Sequence, residues 1–263
     1  MRPIALSIAG SDPSGGAGIQ ADLKTFHQHG VYGMAVITLL TAQSTRGVRR
    51  VQTCAPDLVL EQLDVLLEDI APGAAKTGAL GSAEVVSAVA SRAKDFAFPL
   101  VVDPVMISKH GAPLLDRDAQ EILARELMPL AAVFTPNAHE AAALLGREVR
   151  TLDQARDAAR TLVDRGAPAV LVKGGHIEGP PIDVLATRDG AVVEIAGERV
   201  DTQHTHGTGC AYSAAIAAQL ARGLPLVEAI RASKAWLTEA LRRAPGIGGG
   251  VGPVDHFAPL TRA

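Results

Sequence analysis

Short apolar runs alternate with amphipathic stretches along most of the chain. The apolar runs are rich in Val, Ile, Leu and Ala and are typical of buried strands, whereas the stretches between them repeat apolar residues at helical spacing. Predicted strands are residues 4–9, 33–41, 100–102, 131–135, 169–172, 182–186 and 192–195, and predicted helices include residues 18–29, 56–69, 83–94, 152–165 and 226–243. About eight strands alternating with about eight helices predict one doubly wound α/β domain over residues 1–263, with a mostly parallel central sheet and helices on both faces.

A polar, Gly-rich stretch leads into a run of small helix-forming residues near the end of the chain, in the sequence DTQHTHGTGCAYSAAIAAQL (residues 201–220). A loop that enters a helix exposes the backbone N–H groups of the first turn, and the helix dipole adds roughly half a positive charge there. Gly207 and Gly209 would let an anion approach the backbone closely, and Cys210 would lie where this field favours its thiolate. The plainer alternative is a helix start packed on the sheet, with Cys210 as a small buried residue.

A second Gly-rich loop follows the first predicted strand, in the sequence GSDPSGGAGIQADLKTF (residues 10–26). It lacks the lysine of a Walker A loop. Residues 16–21 fit the G-x-G-x-x-A dinucleotide pattern, but the next predicted strand carries no acidic residue, which that site requires. We therefore reject both nucleotide motifs, which leaves a loop and a helix with Asp22 on its first turns. Taken alone, Asp22 is compatible with a first-turn acid favoured by the helix dipole.

Polar residues also follow three of the predicted strands, at the sheet edge where ligands bind in open parallel sheets. Asp103 is placed there for a metal or phosphate role, or to cap a turn, and the spacing of Asn137 and Glu140 is also compatible with an ordinary helix cap. Lys173 can contact phosphates as a point charge. We predict a mobile loop at residues 108–111. We assign no role to three histidines, His139, His176 and His204.

Composition narrows the function classes. The formal net charge of −3 and the lack of a Lys/Arg run make nucleic acid an unexpected partner. The two cysteines, Cys54 and Cys210, form neither a disulfide framework nor a zinc spacing. No segment approaches ~20 unbroken apolar residues, and the N-terminus enters a strand-like run without a secretory region. We therefore expect no membrane span and a cytoplasmic location.

A series of short sequences occurs in a fixed order along the chain: AGSDPSGGAGIQAD, TAQSTRGV, KTG, VVDPVM, TPNAHE, VKGGH and DTQHTHGTGC. Together they resemble the motifs of hydroxymethylpyrimidine kinases, a branch of the ribokinase-like kinases that belongs to thiamine biosynthesis. The first and last motifs are specific, and the middle ones are weaker. This resemblance spans nearly the whole chain. It implies a ribokinase-like fold and an ATP- and Mg²⁺-dependent kinase that acts on 4-amino-5-hydroxymethyl-2-methylpyrimidine and on its monophosphate.

The same resemblance implies roles for individual residues. A phosphate-binding anion hole and a base would come from Gly207, Thr208, Gly209 and Cys210. Substrate-binding roles fall on Gly10, Asp22, Gln43, Ala79 and Val105. The carboxylate of Asp22 would accept hydrogen bonds from the amino-pyrimidine. ATP-binding roles fall on Asp103, Asn137, Lys173, Thr205 and Lys234. Asp103 and Glu140 would hold Mg²⁺, largely through water.

Two positions depart from the family pattern. Ala79 stands in the pyrimidine pocket where Met is usual, and Ala211 stands where Thr is usual. Because Ala79 leaves the ring preference open, a pyridoxine or pyridoxal kinase of the same fold is the nearest alternative. A non-catalytic nucleotide-binding regulator is an alternative from a different class. The resemblance further implies a homodimer.

Overall fold

A single sheet runs through the protein. The structure is a computed structural model that describes residues 2–107, 111 and 114–260. Within these residues the strands are β1 (Ile4–Ser11), β2 (Tyr32–Ser44), β3 (Gly47–Thr53), β4 (Ala74–Thr77), β5 (Leu100–Val102), β6 (Val133–Phe134), β7 (Ala169–Val172), β8 (Asp183–Thr187) and β9 (Val192–Ile195). Their order across the sheet is β3-β2-β1-β4-β5-β6-β7-β8-β9. One continuous sheet agrees with the expected single domain, which stays a prediction.

The middle of the sheet is parallel and its two edges are antiparallel. Strands β2, β1, β4, β5, β6 and β7 run in the same direction, whereas β3 pairs antiparallel with β2, and β8 and β9 continue antiparallel from β7. The predicted mostly parallel sheet is therefore confirmed. All parallel strands end at one edge of the sheet, so the loops that leave them gather at that edge.

Helices cover both faces of the sheet, as predicted. They are α1 (Gly18–Gln28), α2 (Pro56–Asp69), α3 (Ala83–Ala93), α4 (Arg117–Ile122), α5 (Ala138–Leu145), α6 (Leu152–Asp164), α7 (Thr208–Ala221) and α8 (Leu226–Arg242). Side chains of α1, α7 and α8 share one apolar core, and those of α2 to α6 share the other. In β1 the alternation of a strand sends Ala5 to the first core and Leu6 and Ile8 to the second.

The helix ends follow from local sequence. Ser82 caps α3 by accepting a hydrogen bond from the Val85 N–H at 3.3 Å, as predicted. Asn137 and Glu140 form a capping box at the start of α5, so the ordinary cap considered for this pair is present. The cap alone does not show whether Asn137 and Glu140 also contact a ligand.

The structure differs from the sequence expectation in two segments. The predicted turn at residues 42–48 is the tip of a long hairpin, because β2 continues to Ser44 and β3 pairs with it. The helix α4 was not predicted; six residues offer too short a periodicity to recognise. Of the loop predicted at residues 108–111, only Gly111 lies within the described residues. In the described part of the chain, no helix is long and apolar enough to cross a membrane.

Candidate active site

A cavity of about 510 Å³ opens at the edge where the parallel strands end. Its wall is built from the loops after β1, β4, β5, β6 and β7 and from the start of α7. Most of the residues singled out from the sequence line it: Gly10, Gln43, Ala79, Asp103, Val105, Asn137, Glu140, Lys173, Thr205, Gly207, Thr208, Gly209 and Cys210. The fold thus brings together residues that lie far apart in the sequence.

The start of α7 forms one end of the cavity. Gly207 precedes the helix with φ at +73°, and a Cβ on it would lie 1.7 Å from the Gly16 carbonyl oxygen, so only glycine fits there. Within the described residues, no protein acceptor takes the N–H of Gly209 or Cys210. These two donors and the positive end of the helix dipole therefore face the cavity together.

A cluster of three charges lies against this helix start. Lys173 Nζ is 2.8 Å from Asp103 Oδ1 and 4.0 Å from Glu140 Oε2. The other oxygen of Asp103 accepts a hydrogen bond from the Ser213 hydroxyl at 3.2 Å. A Cβ built on Gly209 would lie 3.5 Å from Lys173 Nζ and 3.7 Å from Asp103 Oδ2. The ammonium, the carboxylate and the backbone donors therefore border the same small space.

The carboxyl of Glu140 has an unusual pKa. Burial and the negative charge of Asp103 raise this pKa to about 7, against the opposing influence of Lys173. Two carboxylates here share one ammonium group, so a further cation suits the donor set. The described residues contain no group of three or more His, Cys, Asp or Glu arranged to hold a metal. A cation held by one or two carboxylates, substrate phosphates and water is the usual arrangement for Mg²⁺.

Cys210 lines the cavity, but its thiol does not have the lowered pKa that the helix start led us to expect. Burial raises the pKa of Cys210 to about 11. The nearby Lys76 ammonium opposes this, whereas Asp22 and Asp103 add to it. Burial thus outweighs the positive charge of Lys76 at this thiol, and the role of Cys210 as a base stays a prediction.

Asp22 does not line the cavity, and its expected contact with the substrate stays a prediction. Ser7, Asp22 and Lys76 are all 0% exposed. Asp22 accepts hydrogen bonds from the Ser7 hydroxyl at 2.5 Å and from Lys76 Nζ at 3.1 Å. Burial lowers the pKa of Lys76, but the charges of Asp22, Cys210 and Asp103 and the hydrogen bond to Asp22 together outweigh it and leave that pKa raised. This buried pair lies beneath the cavity, since a Cβ on Gly78 in the wall would be 3.2 Å from Lys76 Nζ.

Lys234 also lies outside the cavity lining, in contrast to its expected place at the nucleotide. Its Nζ contacts Asp183 Oδ1 at 2.8 Å. Asp183 is fully buried and also accepts hydrogen bonds from the Tyr212 hydroxyl at 2.8 Å and the Gly174 N–H at 2.7 Å. Because Gly174 follows Lys173, this network fixes the backbone from which the cavity lysine extends.

Sequence reasoning missed two polar residues in the wall, Asp12 and His206. His206 Nε2 lies 2.7 Å from Asp12 Oδ2, although 194 residues separate them. Burial raises the pKa of Asp12, but hydrogen bonds from His206 and Ser14 outweigh it and hold the pKa below its ordinary value. Asp12 lies in the first of the two most specific motifs and His206 in the last. Their places in these motifs were the sequence signal that could have identified them. The histidines that had been set aside at positions 139 and 176 line the cavity as well, with ring centres 4.9 Å apart.

Comparison with known proteins agrees with this geometry. Residues 12–255 match the family described as phosphomethylpyrimidine kinase. The chain belongs to the phosphomethylpyrimidine kinase family. A relative from Synechococcus elongatus, named hydroxymethylpyrimidine/phosphomethylpyrimidine kinase, is 48% identical over 98% of both chains. The resemblance stated from the sequence motifs is confirmed.

Solved structures of phosphomethylpyrimidine kinases and of pyridoxal kinases share the fold. An ADP complex of Bacillus subtilis pyridoxal kinase superposes with a TM-score of 0.90 at 36% identity, covering 98% of both chains. The phosphomethylpyrimidine kinase from Clostridium difficile gives a TM-score of 0.80 at 40% identity, covering 91% of this chain and all of that one. The predicted fold class is confirmed, and overall shape does not separate the two vitamin kinases.

Proposed function

We propose that this protein transfers a phosphoryl group from ATP to 4-amino-5-hydroxymethyl-2-methylpyrimidine and then to its monophosphate. The observation that carries the proposal is the single cavity in which the start of α7, Lys173, Asp103 and Cys210 meet. Backbone donors and a cation suit a phosphoryl group, and a thiol beside them suits the hydroxyl that receives it. Family membership supports the pyrimidine as the substrate.

Phosphoryl transfer depends mainly on positioning and charge stabilisation. The N–H groups of Gly209 and Cys210 would bind the oxygens of the moving group, since they have no acceptor within the described part of the protein. Lys173 would exchange part of its contact with Asp103 for phosphate oxygens, because both groups border the same space. Asn137 and Thr205 line the wall beside them and would contact ATP.

Mg²⁺, when bound, would screen the phosphate charges from one another. Asp103 and Glu140 are the residues that would hold it, largely through water. Cation binding would favour the ionised form of Glu140, so the pKa of about 7 makes Mg²⁺ affinity rise from pH 6 to pH 8. This sign follows because only the carboxylate form attracts the cation.

Cys210 is proposed to take the proton of the substrate hydroxyl. With a pKa of about 11 the thiol is protonated at neutral pH, so the thiolate is a minor form. Lys76, beneath the cavity, is the positive charge that favours this form. The ring of the substrate would lie between Gly10, Gln43, Ala79 and Val105, which line the cavity.

Pyridoxal phosphorylation is a second candidate function, because Ala79 leaves the ring preference open and a pyridoxal kinase shares the fold. A nucleotide-binding regulator is the remaining alternative. The deciding experiment is an ATP-coupled assay of the purified protein on the pyrimidine alcohol, its monophosphate and pyridoxal, each with Mg²⁺ and with a chelator. We expect Mg²⁺-dependent turnover of both pyrimidines.

Each result of that assay has a distinct meaning. Turnover of pyridoxal alone would reject the pyrimidine assignment, and ATP binding without turnover of any alcohol would indicate a regulator. Turnover of the pyrimidine alcohol but not of its monophosphate would reject only the proposed second phosphorylation. The homodimer and the cytoplasmic location stay predictions; light scattering during size-exclusion chromatography tests the first, and cell fractionation tests the second.

A further inference from the structure

Asp12, His206 and Gln43 form a chain of polar contacts in the cavity wall. Asp12 Oδ2 lies 2.7 Å from His206 Nε2, and the amide atom placed as Gln43 Nε2 lies 3.3 Å from the same ring nitrogen. The three residues come from the loop after β1, the end of β2 and the loop before α7. All three line the cavity.

Asp12 determines where His206 carries a proton. Its carboxylate accepts hydrogen bonds from the Ser14 N–H, the Ser14 hydroxyl and the Ala17 N–H, at 2.8 to 2.9 Å. A carboxylate with these donors is ionised and can only accept, so the ring nitrogen 2.7 Å away must be a donor. His206 therefore carries a proton on Nε2.

The position of the His206 ring is also fixed. Its backbone N–H donates to the Gly252 carbonyl at 3.0 Å, and the side chain is only 3% exposed. A Cβ on Gly16 would lie 2.4 Å from the ring carbon Cδ2, so the loop after β1 packs closely against the imidazole. The ring therefore keeps its Nε2 proton directed at Asp12, with the end of Gln43 beside that nitrogen.

The proton on Nε2 decides how the amide of Gln43 is turned. An amide has the same shape after a half-turn, so its oxygen and nitrogen are assigned from their partners. Two donors do not face each other favourably, and the amide oxygen is the group that suits the His206 N–H. We propose that Asp12 and His206 hold Gln43 with its oxygen on the imidazole and its NH₂ group towards the ligand, so that Gln43 reads a hydrogen-bond acceptor on the substrate ring.

The proposal rests on the proposed function and makes it more specific. An aminopyrimidine offers ring nitrogens that accept hydrogen bonds and an exocyclic amine that donates them. A Gln43 side chain with its NH₂ group towards the ligand pairs with a ring nitrogen and not with the amine. His206 is then a positioning residue, because it acts on the substrate through Gln43.

The substrate contact is tested with three analogues of the pyrimidine alcohol: two isomers in which one or the other ring nitrogen is replaced by C–H, and one with the amine replaced by hydrogen. KM is measured for the three analogues and the parent with wild type and Gln43→Ala. We expect Gln43→Ala to raise KM for the parent and the amine-free analogue by up to about tenfold, the loss from one hydrogen bond, with no further rise for one of the two C–H isomers. The reverse pattern, in which only the amine-free analogue is insensitive, would overturn the proposed orientation.

The positioning role is tested with His206→Phe, which keeps a ring but removes the N–H. We expect KM for the pyrimidine to rise several-fold while kcat and KM for ATP stay unchanged, and His206→Gln, which restores a donor, to recover part of the loss. The matched control is His27→Phe, an exposed histidine of α1 outside the cavity lining, expected to leave KM for the pyrimidine unchanged. Equal effects of His206→Phe on kcat and both KM values would indicate a purely structural role and reject the proposal.

A measurement on the free protein separates this inference from the proposed function. Nitrogen NMR of the imidazole groups, assigned with His206→Phe, should show His206 protonated on Nε2. A proton found only on Nδ1 overturns the inference whatever the enzyme phosphorylates. A protonated Nε2 with no binding of the pyrimidine rejects both the pyrimidine function and the substrate contact, while the Asp12–His206 assignment stands.

Discussion

At the scale of the single residue, opposing influences act on the pKa of the Cys210 thiol. Burial raises the pKa of its thiol to about 11, and Lys76 is the positive charge that works against this. We predict that Cys210→Ala lowers kcat by about 10²-fold or more, because general-base catalysis contributes in that range, and leaves ATP affinity within a few-fold. The wild-type rate should also rise with pH through the alkaline range, since the thiolate fraction grows until pH approaches the pKa. Steady-state kinetics across pH, with ATP binding by calorimetry, measure both effects.

The other cysteine provides the control for this prediction. Cys54→Ala removes a thiol that does not line the cavity, so its rate and its pH profile should match those of the wild type. Near-normal turnover of Cys210→Ala would show that Cys210 is not the base and that the backbone donors of α7 act without it. An alkaline rise that persists in Cys210→Ala would place the titrating group elsewhere.

Asp22 and Lys76 are the second residue-scale case, because their pair is fully buried. We predict that Lys76→Met destabilises the protein by about 3–5 kcal/mol, since it leaves a buried carboxylate without its partner. The double variant Asp22→Asn with Lys76→Met should recover most of this loss, because it buries no charge. Urea denaturation measures the stability of each protein, and KM for the pyrimidine is determined alongside.

Kinetics of the double variant distinguish a buried pair from a substrate contact. If Asp22 acts only beneath the cavity, the double variant binds the pyrimidine within a few-fold of the wild type. A large rise in KM for the pyrimidine in a well-folded double variant, with ATP unaffected, would restore Asp22 to the role expected from its motif.

At the scale of the element, α7 has a left-handed glycine at each end. Gly207 has φ at +73° and no room for a Cβ, whereas Gly223 has φ at +87° and open space around it. We predict that Gly223→Ala costs about 1–2 kcal/mol of stability, the strain of a left-handed residue, with no change in kcat. Gly207→Ala should in addition lower kcat by at least tenfold, because the Gly16 loop must move away from the anion site. Thermal denaturation and kinetics of the two variants compare the same substitution at the two ends of α7. Equal kcat values would show that the anion site tolerates movement of the Gly16 loop.

Helices and central strands could be predicted because their signals are local. The helix α2 begins and ends at its predicted residues, and the strands β5 and β7 match their predicted bounds, since buried apolar runs and helical spacing define them. The hairpin of β2 and β3 was missed because β3 is largely exposed, and its residues, GVRRVQT, lack the alternation of a half-buried strand.

At the scale of the whole molecule, the limits of sequence reasoning concern side-chain partners. The strand order places the loop after β1 beside the start of α7, so Asp12 meets His206 across 194 residues, which no local pattern reports. Gln43 and Lys173, which the motifs singled out, line the cavity. Motif resemblance did not separate residues that line the cavity from Asp22 and Lys234, whose charges are engaged by partners behind it.

Substrate choice is a property of the whole cavity, and Ala79 is where this chain departs from the motif. Ala79 lines the cavity and is half-buried, and its carbonyl accepts a hydrogen bond from the Thr38 hydroxyl at 2.6 Å, which fixes the backbone there. A Met side chain on this backbone would bury additional CH₂ groups against the substrate ring, at about 0.8 kcal/mol each. We predict that Ala79→Met lowers KM for the pyrimidine by about fivefold and reduces any turnover of the bulkier pyridoxal.

The matched control is Ala143→Met, which adds the same side chain to the α5 wall of the cavity beside Glu140. This control should leave the ratio of kcat/KM for pyrimidine and pyridoxal unchanged, because we place the ATP phosphates, not the ring, at that wall. The side chains of Leu39 and Met106, each 2% exposed, also line the cavity and are the candidates for occupying the volume beside Ala79. If Ala79→Met leaves both specificity constants unchanged, or weakens pyrimidine binding through a clash, those side chains already occupy the volume and Ala79 does not set the preference.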